Sequence, residues 1–289
     1  MARVIYVNGR YLAYQRAKVH VEDRGYQFSD SVYEVFEVWN GYLVELEWHL
    51  DRLYRSIECL DILFTMSRES LLHVVRRIVR LNYVVNGHVY IQVTRGVSPR
   101  QHGFPNPVEP ATIVIIARHG DIAKCDKLAL DGVSVVTCPD IRWGRVDLKT
   151  TALLPNVLAK ETAFKKCAGE AWFVDKNGYV TEGSACNAWI VGHDGTLITR
   201  PVGHGDILPG VTRKSLIFRV APELGLRVEE RAFTVEEAQN ALEAFNTAAI
   251  ILVMPVTSVD GIPIGSGCPG DTVQSLRSAF HRFASVTKV

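Results

Sequence analysis

The stretch DRGYQFSDSVYEVFEVWNG, from Asp23 to Gly41, carries a short strand-like run at Tyr33 to Val38 that ends at Asn40-Gly41. Strand side chains alternate between faces, and Asn-Gly suits a type I′ turn because both central positions need positive φ. The spacing predicts a hairpin. The same pattern recurs at Val4 to Val7 before Asn8-Gly9, at Trp172 to Val174 before Asn177-Gly178, and at Ile190-Val191 before Asp194-Gly195. All four are predicted as hairpins of this type.

Working outward, Leu50, Leu53, Tyr54, Ile57 and Leu60 fall on one face of a helix. A second helix, N-capped by Ser67, repeats the pattern with Leu71, Val74, Val75, Ile78 and Val79. Strand-like runs follow at His88 to Thr94 and Thr112 to Ala117, after which residues 119–131 turn polar and irregular. The domain boundary is placed there: an N-terminal α/β domain over 1–118, a linker over 119–131, and a C-terminal domain over 132–289. The second half shows a strand at Val133 to Thr137, a helix from Leu154 to Cys167, and a helix start after Pro209-Gly210. A capping box follows at Thr234 to Glu237, and a last helix is predicted from Asp271 to the C-terminus. Strands and helices mix without regular βαβ alternation, so the fold class is α+β.

The 289 residues are 47% hydrophobic and 22% charged, enough for two domains of ordinary size. With 32 basic against 31 acidic residues, no whole-chain field draws nucleic acid or an anionic membrane, and any anion site must be local. The opening Met1-Ala2-Arg3-Val4 lacks the apolar run of a signal peptide, and Ala248 to Val256 is too short to span a bilayer. A cytosolic protein is expected. Six scattered cysteines show neither a C-x-x-C pair nor a neighbouring histidine at ligand spacing, so no metal is expected, and reduced, packed thiols are.

Several short segments could carry chemistry. Arg142-Trp-Gly-Arg-Val-Asp-Leu-Lys149-Thr150 sets a lysine in an apolar, strand-like context: a desolvated amine suits Schiff-base chemistry, and a snorkelling surface lysine is the plainer alternative. Val180-Thr-Glu182-Gly-Ser-Ala-Cys-Asn187 groups a carboxylate with small polar residues after a hairpin, set against a ligand or simply solvated. In Leu208-Pro-Gly210-Val-Thr212-Arg213, a glycine at a helix entry exposes backbone N–H groups able to bind phosphate. Arg52 lies on the polar side of its helix, solvated unless a pocket covers it. Ser98-Pro-Arg100-Gln-His102 is either a basic surface loop or a carboxylate clamp. Gly203-His204-Gly205 lacks the strand-then-helix setting of a dinucleotide fingerprint. Physics alone stops at an α+β enzyme that handles a small anionic ligand.

Taken together and in order, these motifs resemble the fold type IV pyridoxal-phosphate enzymes, and D-amino acid aminotransferases in particular. The likeness begins with Asp23 to Val35 and continues through His49-Leu-Asp-Arg52, Arg145 to Lys149, Val180 to Asn187 and Leu208 to Arg213. It implies two domains with pyridoxal 5′-phosphate between them, the second barrel-like, in a homodimer. By the resemblance, Lys149 carries the cofactor as a Schiff base and moves the α-proton. Glu182 partners the pyridine nitrogen, with Asn187 in the same motif. Arg52 neutralises the phosphate, while Gly210, Val211 and Thr212 offer the helix start. Tyr33, Arg100 and His102 trap the substrate carboxylate.

The activity implied is ping-pong transfer of the amino group of a D-amino acid, such as D-alanine or D-glutamate, to a 2-oxo acid such as 2-oxoglutarate or pyruvate. An (R)-amine or branched-chain L-amino acid transaminase is the alternative on the same fold. An aminodeoxychorismate lyase and a non-catalytic cofactor-binding protein stand further off. Two departures mark this chain. Ile250 occupies a position where the family supplies a phosphate-binding hydroxyl, with Thr247 as the substitute, and Ser31 replaces a glycine and is expected to affect the carboxylate pocket beside Tyr33.

Overall fold

The computed structural model describes residues 3–203 and 205–289. The readings made at Met1, Ala2 and His204 lie outside the described residues. The chain divides into two compact units. The first takes the chain up to Ile122 together with Leu148–Ala152 and Val286–Val289; the second takes Ala123–Asp147 and Leu153–Ser285.

The first unit is an antiparallel sheet covered by helices. Its strands are β1 (Val4–Val7), β2 (Arg10–Ala13), β3 (Ser31–Trp39), β4 (Tyr42–Val44), β5 (Gly87–Thr94) and β6 (Thr112–His119), and a seventh strand comes from Val286–Lys288. The hydrogen-bonded order is Val286–Lys288, β4, β3, β5, β6, β1, β2. Among the described residues three α-helices accompany them, α1 (Arg24–Phe28), α2 (Leu46–Cys59) and α3 (Arg68–Leu81), with a 3-10 turn at Tyr14–Arg16. Leu46, Leu50, Leu53 and Ile57 of α2 and Leu71, Val75 and Ile78 of α3 recur at helical spacing. They pack with Val32, Phe36 and Val38 of β3 and Val89, Ile91 and Val93 of β5 in one core. Ser67 caps α3 as expected, its hydroxyl accepting the Ser70 amide at 3.2 Å.

The second unit carries a nine-stranded mixed sheet and most of the remaining helices. In chain order these are α4 (Ile122–Asp131), β7 (Val133–Pro139), α5 (Leu154–Lys165), β8 (Glu170–Val174), β9 (Val180–Gly183), β10 (Asn187–Val191), β11 (Leu197–Thr199) and α6 (Val211–Ser215). After a π-helical turn come α7 (Ala221–Glu223), β12 (Val228–Glu230), α8 (Val235–Gln239), β13 (Glu243–Ala248), β14 (Leu252–Val259), β15 (Ile262–Pro263) and α9 (Asp271–Phe283). The order is β12-β11-β10-β13-β14-β7-β8-β9, with β15 on β14. Trp172, Phe233, Ile190 and Met254 share its main core, and Thr234 caps α8 by accepting the Glu237 amide at 3.1 Å.

Four expectations are corrected. Residues 119–131 are not a linker, because β6 runs on to His119 and α4 fills most of the rest; Cys125 and Ala129 give α4 an apolar side against the second core. The C-terminal domain does not own 132–289 without a break, since residues 148–152 and 286–289 return to the first unit. The last helix stops at Phe283, and Val286, Thr287 and Lys288 pair with Val44, Leu43 and Tyr42. Finally, only the first two hairpins have positive φ at both turn positions, Asn8 and Gly9, Asn40 and Gly41. At the other two, only Gly178 and Gly195 do. There Asp175 Oδ1 accepts the amides of Asn177 and Tyr179, and Asp194 Oδ1 accepts that of Thr196, so the aspartates hold a longer turn with its glycine last.

All six cysteines are unpaired, as expected, but only Cys186 is buried, and Cys59, Cys167 and Cys268 are exposed rather than packed.

One buried amide ties β1 to the end of α3. Asn82 Oδ1 accepts the amides of Arg3 and Val4 at 2.7 and 2.9 Å, while Nδ2 donates to the carbonyls of Val4 and Ile78. Replacing Asn82 with Ala removes four hydrogen bonds to partly buried backbone groups, and urea unfolding should show a loss of about 1 to 3 kcal/mol; a change below about 0.5 kcal/mol would contradict this account.

Candidate active site

In the first unit, β3 presents two different faces. Val32, Glu34, Phe36 and Val38 point toward the helices, and Ser31, Tyr33 and Val35 point the other way. A carboxylate on the helix-facing row requires partners, because an ionised group without them is unstable in an apolar interior. Glu34 finds them on α2. Arg52 Nε donates to Oε1 at 2.6 Å and Arg52 Nη2 to Oε2 at 2.9 Å, while His49 Nδ1 lies 2.7 Å from Oε2. Burial pushes the Glu34 carboxyl up, but the Arg52 and His49 charges and hydrogen bonds overcome it and leave it at about 2. His49 is held below its ordinary value, first by burial, with Arg52 and Lys149 adding to the effect against Glu34. Arg52 is therefore buried, which overturns the solvated alternative.

Lys149 follows turns at residues 144–147 and precedes a single bridge between Val32 and Thr150, so its context is a loop crossing β3 rather than the expected strand. The Lys149 carbonyl accepts the Tyr33 amide at 2.9 Å, and Nζ sits 4.3 Å from the centre of the Tyr33 ring. Tyr33 also packs on Tyr90, centroids 5.7 Å apart. Ser31 turns its hydroxyl toward Thr151 Oγ1 at 2.5 Å. It thus bears on the segment behind Lys149, and it also accepts the Gln92 side-chain amide at 3.4 Å, Gln92 being the cross-strand partner of Tyr33 and bonded to the Tyr90 hydroxyl.

Arg100 and His102 are exposed. Both lie against Phe28: the Arg100 guanidinium is 5.1 Å from its ring centre and the His102 ring 5.6 Å. The loop beneath them is fastened by buried Arg24, whose Nη1 donates to the Gln101 carbonyl at 2.8 Å and whose Nε donates to Asp30 at 2.8 Å. Arg95 grips the same Asp30 oxygen at 2.8 Å. The contacts that place Tyr33 thus differ from those that place Arg100 and His102.

In the second unit the expected residues converge. Glu182, buried on β9, receives Arg142 Nη1 and the Asn187 side-chain amide at 2.9 Å, and the Leu208 backbone N–H at 3.1 Å from each oxygen. Asn187 also donates to the Leu208 carbonyl at 2.9 Å. A Cβ on Gly210 would stand 1.9 Å from Asn187 Oδ1, so only glycine lets the entry of α6 approach β10 this closely. Gly210 is the N-cap without a side-chain cap, which leaves the first amides, those of Val211 and Thr212, directed out of the helix start. Thr247 pairs with Asn187 in register, and its hydroxyl accepts the Trp189 indole N–H at 3.0 Å. Ile250 is half exposed in the turn before β14.

The residue-by-residue reading passed over Glu34 and Asp30, and it did not single out Arg24 or Arg142. A glutamate at an inward position of an apolar strand was the available signal for Glu34. No local pattern marks Arg142 as a partner of Glu182, 40 residues away.

In the second unit, a carboxylate held by three donors and a helix start with outward amides suit the ring nitrogen and the phosphate of a phosphorylated pyridine cofactor; in the first, a buried arginine and a loop lysine are residue types such a cofactor takes. These residues fit pyridoxal 5′-phosphate, the equipment of a transaminase. The comparisons agree. A family model described as amino-transferase class IV matches residues 31–259. The D-alanine aminotransferase of Staphylococcus haemolyticus is 37% identical, covering 96% of this chain and 97% of its own. That of Bacillus licheniformis is 38% identical, covering 95% and 94%. Among solved structures, the branched-chain amino acid aminotransferase of Escherichia coli superimposes with a TM-score of 0.89 at 26% identity, covering 98% and 94%. The chain belongs to the class IV aminotransferases, enzymes that work with pyridoxal 5′-phosphate.

The Glu34 cluster makes stability depend on acid. Glu34 sits at about 2 against an ordinary 4.5, and His49 below an ordinary 6.5. In both cases the unfolded chain binds protons first, so stability falls as pH drops, beginning below about 6.5 and steepening between 4.5 and 2. Urea midpoints at pH 7, 5 and 3 should decline in that order, Glu34 accounting for about 2 kcal/mol of the loss by pH 3. Glu34→Gln should be less stable at pH 7 and lose less on going from pH 5 to 3; an equal decline would remove Glu34 as the cause.

Proposed function

We propose that this chain is a pyridoxal-phosphate-dependent transaminase that moves the amino group of D-amino acids to a 2-oxo acid such as pyruvate or 2-oxoglutarate. The observation that carries the substrate reading is the loop with Arg100 and His102, two hydrogen-bond donors presented on Phe28 and fastened by Arg24. Similarity over nearly the whole chain to proteins named D-alanine aminotransferase supports it.

When bound, the cofactor supplies an aldehyde that captures amines and a ring that accepts electrons from the substrate α-carbon. Lys149 Nζ is the amine that carries it and the base that moves the α-proton. Glu182, fixed as an anion by its donors, holds a proton at the ring nitrogen. Arg52 and the amides of Val211 and Thr212 neutralise the phosphate, with Gly210 giving them room and Asn187 and Thr247 behind them. Ile250 offers that phosphate no hydroxyl. Arg100, His102 and Tyr33 orient the substrate carboxylate. We place the enzyme in the cytosol as a homodimer, on the family resemblance.

A second reading, a transaminase of branched-chain L-amino acids, is favoured by the structural likeness to the Escherichia coli enzyme. Visible absorption of the cofactor-loaded protein separates the two. Loss of the bound-cofactor band with D-alanine, and not with L-leucine or an (R)-amine, is expected; loss with L-leucine alone would refute the D-amino acid reading. Lys149→Ala should lower turnover at least about a thousandfold in steady-state assays. Arg100→Ala should reduce kcat/KM for D-alanine by a charge-assisted hydrogen bond's worth, about 1.5 to 3 kcal/mol, and an unchanged value would remove Arg100 from the carboxylate site.

A further inference from the structure

Arg142 does more in the second unit than touch Glu182. Its Nε donates to Asp140 Oδ1 at 2.9 Å and its Nη2 to Asp140 Oδ2 at 2.6 Å, a two-point grip that leaves Nη1 to meet Glu182. Nη2 also donates to Thr181 Oγ1 at 3.2 Å and to the Asp206 carbonyl at 3.0 Å. Thr181 Oγ1 in turn donates to Asp140 Oδ2 at 2.8 Å. The guanidinium carbon lies 4.6 Å from the Phe173 ring centre, so apolar surface covers one side of it. The three charged side chains are only 5%, 15% and 7% exposed for Arg142, Asp140 and Glu182.

The charge of this group follows from counting. Arg142 with Glu182 alone would be a neutral pair, with little Coulombic attraction for a protonated ring nitrogen. Asp140 restores one net negative charge, in a setting where water screens little. We infer that Asp140, acting through Arg142, is a positioning residue that preserves the anionic character of Glu182 toward a protonated pyridine ring. This rests on the assignment of Glu182 made above. Both partners are ionised as the inference requires. Burial by itself would raise the Asp140 carboxyl, yet the Arg142 hydrogen bonds and charge hold it below the ordinary range. Burial opposes the Arg142 charge as well, and the two carboxylates more than compensate.

Apoprotein titrated with pyridoxal 5′-phosphate and with its 1-deaza analogue, in which C–H replaces the ring nitrogen, tests this without any turnover. The unaltered protein should prefer the natural cofactor. Asp140→Asn should cut that preference about tenfold by weakening binding of the natural cofactor alone, a charge-assisted interaction's worth. The double variant Asp140→Asn, Arg142→Gln removes both charges, returns the net charge to that of Glu182, and should recover most of the preference. Equal weakening of both cofactors by Asp140→Asn would reveal a merely structural role and overturn the inference, as would a double variant no better than the single one. If Asp140→Asn does not fold, the double variant compared with the unaltered protein decides the same point. Absence of any preference in the unaltered protein would instead remove Glu182 from the ring nitrogen, and this inference with it.

Discussion

Glu34 lies among Val32, Phe36 and Val38 on the side of β3 that faces the helices. An ionised carboxylate there is tolerable only when cationic and hydrogen-bonding partners surround it. That requirement fixes where α2 must sit, because His49 and Arg52, three residues apart on one helical face, have to reach the same two oxygens. Positioning α2 also positions Leu46, Leu50, Leu53 and Ile57 for the core, so polar and apolar demands select one arrangement. Arg52 therefore enters any encounter with an anion already oriented, having lost its rotamer freedom on folding.

The second unit repeats the logic with opposite emphasis. Here the buried carboxylate is Glu182, and its donors come from β10, from the segment before α6 and from the loop after β7. Buried pairs of this kind add little net stability, since desolvation offsets most of the attraction. What they contribute is a single geometry. The contact of Gly210 with Asn187 serves the same end, coupling the helix start to the carboxylate through one side-chain amide.

The loop after β5 shows the strategy on an exposed element. Arg100 and His102 are at the surface, where they would ordinarily sample many rotamers. Buried Arg24 holds the backbone beneath them and Phe28 supplies a flat apolar rest for both side chains. Presentation of two polar groups thus depends on α1, a helix of five residues capped by Asp23.

Much of this was legible in the residue order. Apolar periodicity located α2 and α3, Asn-Gly and Asp-Gly located the hairpins, and the motifs around Arg52, Lys149, Glu182 and Gly210 marked the candidate residues, because each is a local pattern with a local physical cause. Turn type at Gly178 and Gly195 was misjudged, since the aspartates that lengthen those turns act through side-chain hydrogen bonds that a dipeptide rule omits. The return of 148–152 and 286–289 to the first unit had no local signal: backbone pairing with β3 and β4 depends on which edges and faces remain available after folding. The partners of Glu34 and Glu182 were hidden for the same reason. Sequence alone determined which residue types could do the chemistry and on which elements they ride. Only the tertiary structure decided which charges meet, because a buried ion pair is selected by desolvation, and desolvation exists only once distant segments have closed over it.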